Sequence, residues 1–563
     1  MVANLKGLAK NLILFFHAGL IIQSHALGAW LEYETVALSG QPNAHGITFS
    51  GLASPRIAAD GEVVFQAVIN GASTTNDFSI WSYKNGVQSL IVREGDGVPG
   101  GSIFFAVDTP RIGENGQVAF GAGIRASNGS TTGSIWARQN GLLNLVARQG
   151  AIPTGASPSL AMQQIGGVSA TGSNVAFMEG DININSNVRI WSGLPGGLRL
   201  VAAELTPAAG IGGGVLLNEL TPFNTSSRFS VNASGDVAYR GTLSGTGVNA
   251  TNDVAVWKWH DGSSTLVART GDLAPGSDAG DRFSRLENPV INNNGAVAFA
   301  GRVINPASGS SQPMGIWAGR GGALELVARA GQAAPGTTDR AFSSFQNPVI
   351  GGGDDIAFVA SLAVPSGGLS SVFGLWVGQP GDLRLVARTG DHLPGTDPQL
   401  ELRDFNFGSN SQNAPAINVH GDVMFQALLT ENGSDVFDSG IWAFAQGELF
   451  KLALTGDLFD VDPDPLVQDL RMITHAGMTR DGGGEDGRPT GFNDNRVGVL
   501  HLYFSDGTDG IFSVSIVPEP STWALAIVGL LGLLVNAVSR IPRSRPLAET
   551  HALQKTPVSL GMK

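Results

Sequence analysis

The chain has 563 residues, with 34 Lys and Arg against 47 Asp and Glu, for a formal net charge of −13. That balance argues against a nucleic-acid binder, which needs a basic face to meet phosphates. Cysteine is absent, so disulfide frameworks, thiolate metal sites and cysteine nucleophiles are excluded. Glycine, at 78 residues, is about double the usual share of roughly 7%, and it lacks the period of three that marks collagen. With 42% apolar residues the chain can bury a core, but it needs many turns.

Residues 1–26 have the order of a secretory signal peptide. Lys6 and Lys10 precede the apolar run Leu12–Ile22, and Ser24-His25-Ala26 supplies a small–x–small cleavage pattern. A buried N-terminal helix is the alternative.

From there to residue 517 the sequence repeats. Trp81, Trp136, Trp191, Trp257, Trp317, Trp376 and Trp442 are each preceded by Ile, Leu or Val. Each is followed five residues later by glycine, from Gly86 to Gly447, and ten residues later by a β-branched residue or leucine, from Ile91 to Leu452. Asn85-Gly86, Asn140-Gly141 and Asp261-Gly262 are favoured hairpin turns, so each copy predicts a strand–turn–strand. A second hairpin precedes each of these. It is clearest at Asn292–Phe299, and its relatives end at Phe65, Phe120, Phe177, Tyr239, Phe358 and Phe425. Four short strands per unit, repeated seven times with an eighth, degenerate unit at Asn493–Phe512, predict an all-β propeller of eight four-stranded blades. Seven blades or a β-solenoid are the alternatives. In the eighth unit Phe512 takes the tryptophan position and no second strand follows. Glu34–Gly40 matches Leu266–Gly271, so an N-terminal strand is expected to complete the last blade and close the ring.

The copies resemble exported bacterial proteins built of tandem NxxGxxAF repeats with varied C-terminal anchors. The pattern stands intact at Asn292–Phe299 and recurs at Asn232–Tyr239 and Asn418–Phe425, while Ala58 and Gly351 replace the leading asparagine elsewhere. The resemblance implies a surface location and gives no reaction.

Residues repeated in every blade are expected to serve the fold. Arg93, Arg148, Arg269, Arg329 and Arg388 each end a strand, with Asp96, Asp272 and Asp391 three positions later in Gly-Asp-x-x-Pro-Gly loops. Local Arg–Asp pairing that fixes the loop is the simpler expectation, and presentation of these charges to a polysaccharide is the alternative. The largest break in the repeat is Gly456–Asp464, continuing through Asp469, Glu485 and Asp486. Its alternating carboxylates Asp460, Asp462 and Asp464 could wrap a calcium ion, a hard cation that takes six to eight oxygens. A solvated acidic loop is the alternative. His392, His420, His475 and His501 lack metal-ligand spacing, and no nucleophile elbow or phosphate loop is present.

At the C-terminus, Val517-Pro518-Glu519-Pro520 precedes an apolar segment, Trp523–Val538, and then Arg540, Arg543 and Arg545. Sixteen residues span about 24 Å as a helix, enough for a transient anchor with its arginines held in the cytoplasm. This order resembles the PEP-CTERM sorting signal of Gram-negative bacteria. The resemblance implies that an exosortase-type enzyme processes the segment 518–545 at Pro518, Glu519 and Pro520. The 18 residues that follow would form a cytoplasmic tail at 546–563, a departure from that family, and an ordinary membrane anchor is the alternative. Loss of 1–26 and 521–563 removes seven cations and one carboxylate, which takes the net charge from −13 to −19. The expected product is an acidic domain, 27–517, displayed at the surface or in the extracellular matrix. It would be a non-enzymatic protein that binds or scaffolds exopolysaccharide or envelope proteins. A propeller hydrolase or lyase acting on glycans or lactones is the alternative.

Overall fold

The computed structural model describes residues 30–171, 174–181, 186–220, 229–307, 313–321, 323–363, 372–405, 414–431, 437–464, 466–479 and 491–517. By compactness, residues 31–516 form one unit. The expected signal peptide at 1–26, Glu485, Asp486, the motif Pro518-Glu519-Pro520 and everything after it lie outside the described residues. Within them, no helix is long and apolar enough to cross a membrane.

Eight antiparallel sheets succeed one another as an eight-bladed β-propeller. Blades 1 to 7 occupy 49–93, 97–148, 164–203, 215–269, 282–329, 342–388 and 400–454, and blade 8 combines 458–517 with the strand Trp30–Leu38. The core lies between blades, in clusters that draw on two successive sheets. One of them joins Phe299 and Trp317 of blade 5 to Ala238, Val256 and Ala268 of blade 4. Burial therefore falls from axis to rim. Val297–Ile304, a second strand, is buried almost throughout, and its small residues Ala298, Ala300 and Gly301 suit the narrow end of the wedge. Ala323–Arg329, the outer strand, is exposed along its first half.

Each of the seven repeat tryptophans stands directly opposite the aromatic residue of its own second strand. The pairs are Phe65–Trp81, Phe120–Trp136, Phe177–Trp191, Tyr239–Trp257, Phe299–Trp317, Phe358–Trp376 and Phe425–Trp442. In blades 4, 5 and 6 the two rings also stack, with centroids 5.4, 6.4 and 6.2 Å apart, and such cross-strand pairs are a strong unit of strand cohesion. The fixed ten-residue spacing has a second cause. In every outer hairpin the register shifts just before the tryptophan, so that Trp81 faces Leu90 while Ile80 faces Val92. Ile91 and its counterparts are thus the extra residue of a β-bulge, which adds twist to the blade's outer edge.

The ring closes as the sequence predicts. Trp30–Leu38 lies beside Asp509–Val517, the strand that carries Phe512. The Ser39 and Asp509 main chains meet through a 2.8 Å hydrogen bond. The Asp509 amide also donates to Ser39 Oγ at 2.8 Å, as the Val254 amide donates to Thr270 Oγ1 at 3.1 Å inside blade 4. Tyr33 donates to the Leu452 carbonyl of blade 7, and Thr35 to that of Val461, at 2.8 and 3.0 Å.

Candidate functional site: the channel mouth and the blade 8 hairpin

The innermost strands, among them Val290–Ile291 and Val349–Ile350, neighbour one another around the axis. They end in the NxxG turns on one face of the ring. The turn glycine takes a conformation closed to most side chains, with φ of 75° at Gly295. The leading asparagine works in two directions. Asn292 Oδ1 accepts the Ala296 amide of its own turn at 2.9 Å, while its Nδ2 donates to the Gly351 carbonyl of blade 6 at 2.9 Å. Asn232 reaches the Asn292 carbonyl in the same way, Asn418 that of Asn493, and Asn493 that of Ala58. All four asparagines are buried. The motif's asparagine is therefore a latch between blades, which explains its repetition without any chemistry on a ligand.

The second position of the turn also serves the seams, since Asn293 Oδ1 accepts the Ala233 amide of blade 4 and Asp494 Oδ1 the Val419 amide of blade 7, each at 2.8 Å. That position is acidic only at Glu114 of blade 2 and Asp494 of blade 8. Asn293 of blade 5 donates to Glu114 Oε1 across the ring. Burial pushes the Glu114 carboxyl up, the Asn293 amide draws it back, and the negative charge of Asp494 adds to the rise. A carboxyl shifted upward thus lies within electrostatic reach of a second carboxylate at the mouth of the channel. That environment suits either recognition of polar groups or acid–base work.

The expected Arg–Asp pairing takes a modified form. Asp96 and Asp391 accept the backbone amides of Arg93 and Arg388, each at 2.8 Å, and only Arg388 also pairs through its guanidinium, at 3.3 Å. The Arg93 and Arg269 side chains turn instead to the Asn76 and Asn252 carbonyls, and Arg329 pairs with Asp278 and Asp281. The carbonyls of Pro275 and Pro394 in these loops accept the next blade's tryptophan, from Trp317 Nε1 at 2.9 Å and Trp442 Nε1 at 3.2 Å, whereas Trp136, after the Asp96 loop, donates to Ser134.

Asp460, Asp462 and Asp464 lie on blade 8's entry hairpin, in which Leu458–Asp460 pairs with the start of Leu470–Met478. Asp460 accepts the amides of Asp462 and Asp469, Asp462 that of Asp464, and Asp464 that of Leu466, at 2.8 to 3.3 Å. The carboxylates thus turn to their own main chain in a staircase of Asx turns. Among the described residues no three His, Asp or Glu side chains form a group able to hold a metal ion. The hairpin also exposes apolar side chains that its sequence did not single out, namely Leu458, Leu466, Val467, Leu470 and Met472.

The histidines separate. His392 contacts the Leu400 carbonyl, and the backbone amide of His420 closes its own turn. His475 and His501 flank Tyr503, with ring centroids 5.7 and 4.5 Å away. His501 Nε2 donates to Asp509 Oδ2 at 2.8 Å, inside the seam of the ring.

These features define a ring-closed β-propeller whose repeated polar residues hold the blades together and whose irregular ones gather at the channel mouth and on blade 8. The chain belongs to a family of unknown function, DUF7453, whose model matches residues 35–524. No curated protein matches it in sequence. Among solved structures it is similar to the β-propeller domain of the trilobed protease from Pyrococcus furiosus, at 10% identity and a TM-score of 0.36, over 72% of this chain and 98% of that one. An oligogalacturonate lyase in complex with manganese is similar at 10% identity and a TM-score of 0.34, over 88% of this chain and 99% of that one. A puromycin-hydrolysing peptidase of Mycobacterium tuberculosis is similar at 11% identity and a TM-score of 0.33, over 84% of this chain and 60% of its own.

Proposed function

We propose that this is an exported, surface-sorted binding or scaffold protein of the cell envelope or exopolysaccharide matrix, without catalysis of its own. The observation that supports it is the commitment of the repeated polar residues, Asn232, Asn292, Asn418 and Asn493 above all, to bonds between blades. Side chains so used build a rigid platform, and what stays available is irregular surface on an acidic domain. Export through residues 1–26, processing at Pro518-Glu519-Pro520 by an exosortase-type enzyme, and transient membrane attachment through 523–538 belong to the same proposal. Mass spectrometry of the surface-associated protein tests that part, since intact peptides from 547–563 would count against it.

A second reading is favoured by one observation, the raised Glu114 carboxyl close to the charge of Asp494. A glycan or lactone hydrolase or lyase would use the first as acid and the second as base. Incubating the purified protein with the producer's own polysaccharide separates the two, with retention and chain length followed together. Retention without shortening supports the scaffold. Shortening that disappears in Glu114→Gln establishes the enzyme.

A further inference from the structure

The blade 8 hairpin combines exposed apolar side chains with a run of aspartates. Its apolar side chains are strongly exposed, Leu466 at 86%, Leu458 at 66%, Leu470 at 49% and Met472 at 44%. Leu458 stands opposite Met472, and Asp460 opposite Leu470, so these side chains belong to one short ribbon. Between Asp457 and Met472 the chain carries five aspartates against one cation, Arg471, which Asp469 and Asp506 hold at 2.6 and 3.0 Å. Lys451 pairs with Asp457 at 2.9 Å, so Asp460, Asp462 and Asp464 set the sign of the rim. The Asx staircase through Asp460, Asp462 and Asp464 fixes the loop and sets the exposed Leu466 at its end. Exposed apolar surface rimmed by charge is the mark of a docking site, and the sign of the rim selects the partner.

We infer that this hairpin docks a cationic amphipathic segment of a partner protein, one whose Lys and Arg side chains flank a short apolar run. The apolar residues supply the burial, and the aspartates steer the approach and reject acidic segments and anionic membranes. The inference rests on the scaffold reading and names one of its partners.

The test uses the full chain, a labelled 18-residue amphipathic Lys/Leu peptide, and a Glu/Leu peptide of the same pattern, followed by fluorescence anisotropy. Asp462→Asn with Asp464→Asn keeps the side-chain oxygens that accept the turn amides, so the hairpin survives while its charge falls. Leu466→Ser with Met472→Ser removes the apolar half. Leu142→Ser with Leu145→Ser, at exposed positions on blade 2, is the control, and melting temperatures confirm that each variant folds. The expected result is about a tenfold weaker affinity for the Lys/Leu peptide in both hairpin variants, with the control unchanged. Affinity should also fall as salt rises, and the Glu/Leu peptide should not bind. Equal losses in the control, no loss in the hairpin variants, no binding at all, or binding only to phosphatidylglycerol vesicles would each overturn the inference. Polysaccharide retention, measured on the same variants, reports on the scaffold reading separately. Retention that persists when peptide binding fails removes the hairpin's role alone.

Discussion

The side-chain amide of Asn493 donates to the Ala58 carbonyl at 2.9 Å, across 435 residues of sequence. This bond joins the last blade to the first, and it repeats the one that joins Asn292 to Gly351 in the middle of the ring. Closure therefore needs no special device at the inner strands. The same motif that links neighbours in sequence also links the two ends. Asn495 Nδ2 adds a bond to the Ala59 carbonyl at 2.7 Å, and the Leu52 amide of blade 1 donates to Asp509 at 3.0 Å.

Asn292→Ala is expected to destabilise the protein by about 1–3 kcal/mol, because it strands the Ala296 amide and removes the side-chain bonds to the Gly351 carbonyl and to Asp354 of the next blade. Asn493→Ala should cost a similar amount at the seam. Urea unfolding followed by tryptophan fluorescence measures both. A change near zero at both sites would remove the latch from the account.

In blades 1, 2, 5 and 7 the residue two before the tryptophan goes with how the indole is held. A Cβ on Gly315 or Gly440 would sit 2.7 or 2.6 Å from the indole ring of Trp317 or Trp442, whose Nε1 donates to a loop proline instead. In blades 1 and 2 that position is Ser79 or Ser134, and its hydroxyl accepts the indole N–H at 2.9 Å. Gly440→Ala should therefore destabilise by overpacking, by about 1–3 kcal/mol. Ser134→Ala should destabilise by a lost bond, by about 1–2 kcal/mol. Thermal melts of the two variants check this, and a stabilised Gly440→Ala would contradict it.

Asp509 gives the seam a defined pH dependence. Burial alone would push its carboxyl up, but hydrogen bonds from His501 and Ser39, with the nearby His501, hold it below the ordinary value. A carboxyl with a depressed folded pKa contributes stability above its unfolded value, and that stability is lost as pH falls through the folded value. The difference between the parent and Asp509→Asn should thus be full at pH 7 and shrink below about pH 4. Urea unfolding at pH 7, 5 and 3 measures it. A difference that stays constant would show that the charge plays no part.

Asp460, Asp462 and Asp464 already accept the amides that shape their loop. The melting temperature is accordingly expected to be the same with a chelator as with millimolar calcium. A calcium-dependent rise, lost in Asp462→Asn with Asp464→Asn, would assign the ion to these residues.

Much of the fold was legible in the sequence because its determinants are local and repeated. The Trp–Gly spacing is fixed by a hairpin with a bulge, and an insertion in either strand would break the register. The closing strand could be found because Ser39 and Gly40 stand where Thr270 and Gly271 stand in blade 4. The bulge itself was not legible, since periodicity cannot tell an extra residue from a paired one. Neither was the role of the leading asparagine, whose partner lies in another blade, beyond any local pattern. The Glu114–Asn293 contact joins residues 179 apart. Its one sequence signal was the rarity of acids at the second turn position. The acidic hairpin was legible as a break in the repeat, but the exposure of Leu466 and Met472 depends on how the loop folds back.

Closure by the N-terminal strand is the point on which the ring depends, and hydrogen–deuterium exchange of the full chain tests it most directly. Amides of residues 31–38 should exchange slowly and together with those of 509–517, as one unit. Rapid exchange at 31–38 beside a protected 509–517 would contradict the closed ring.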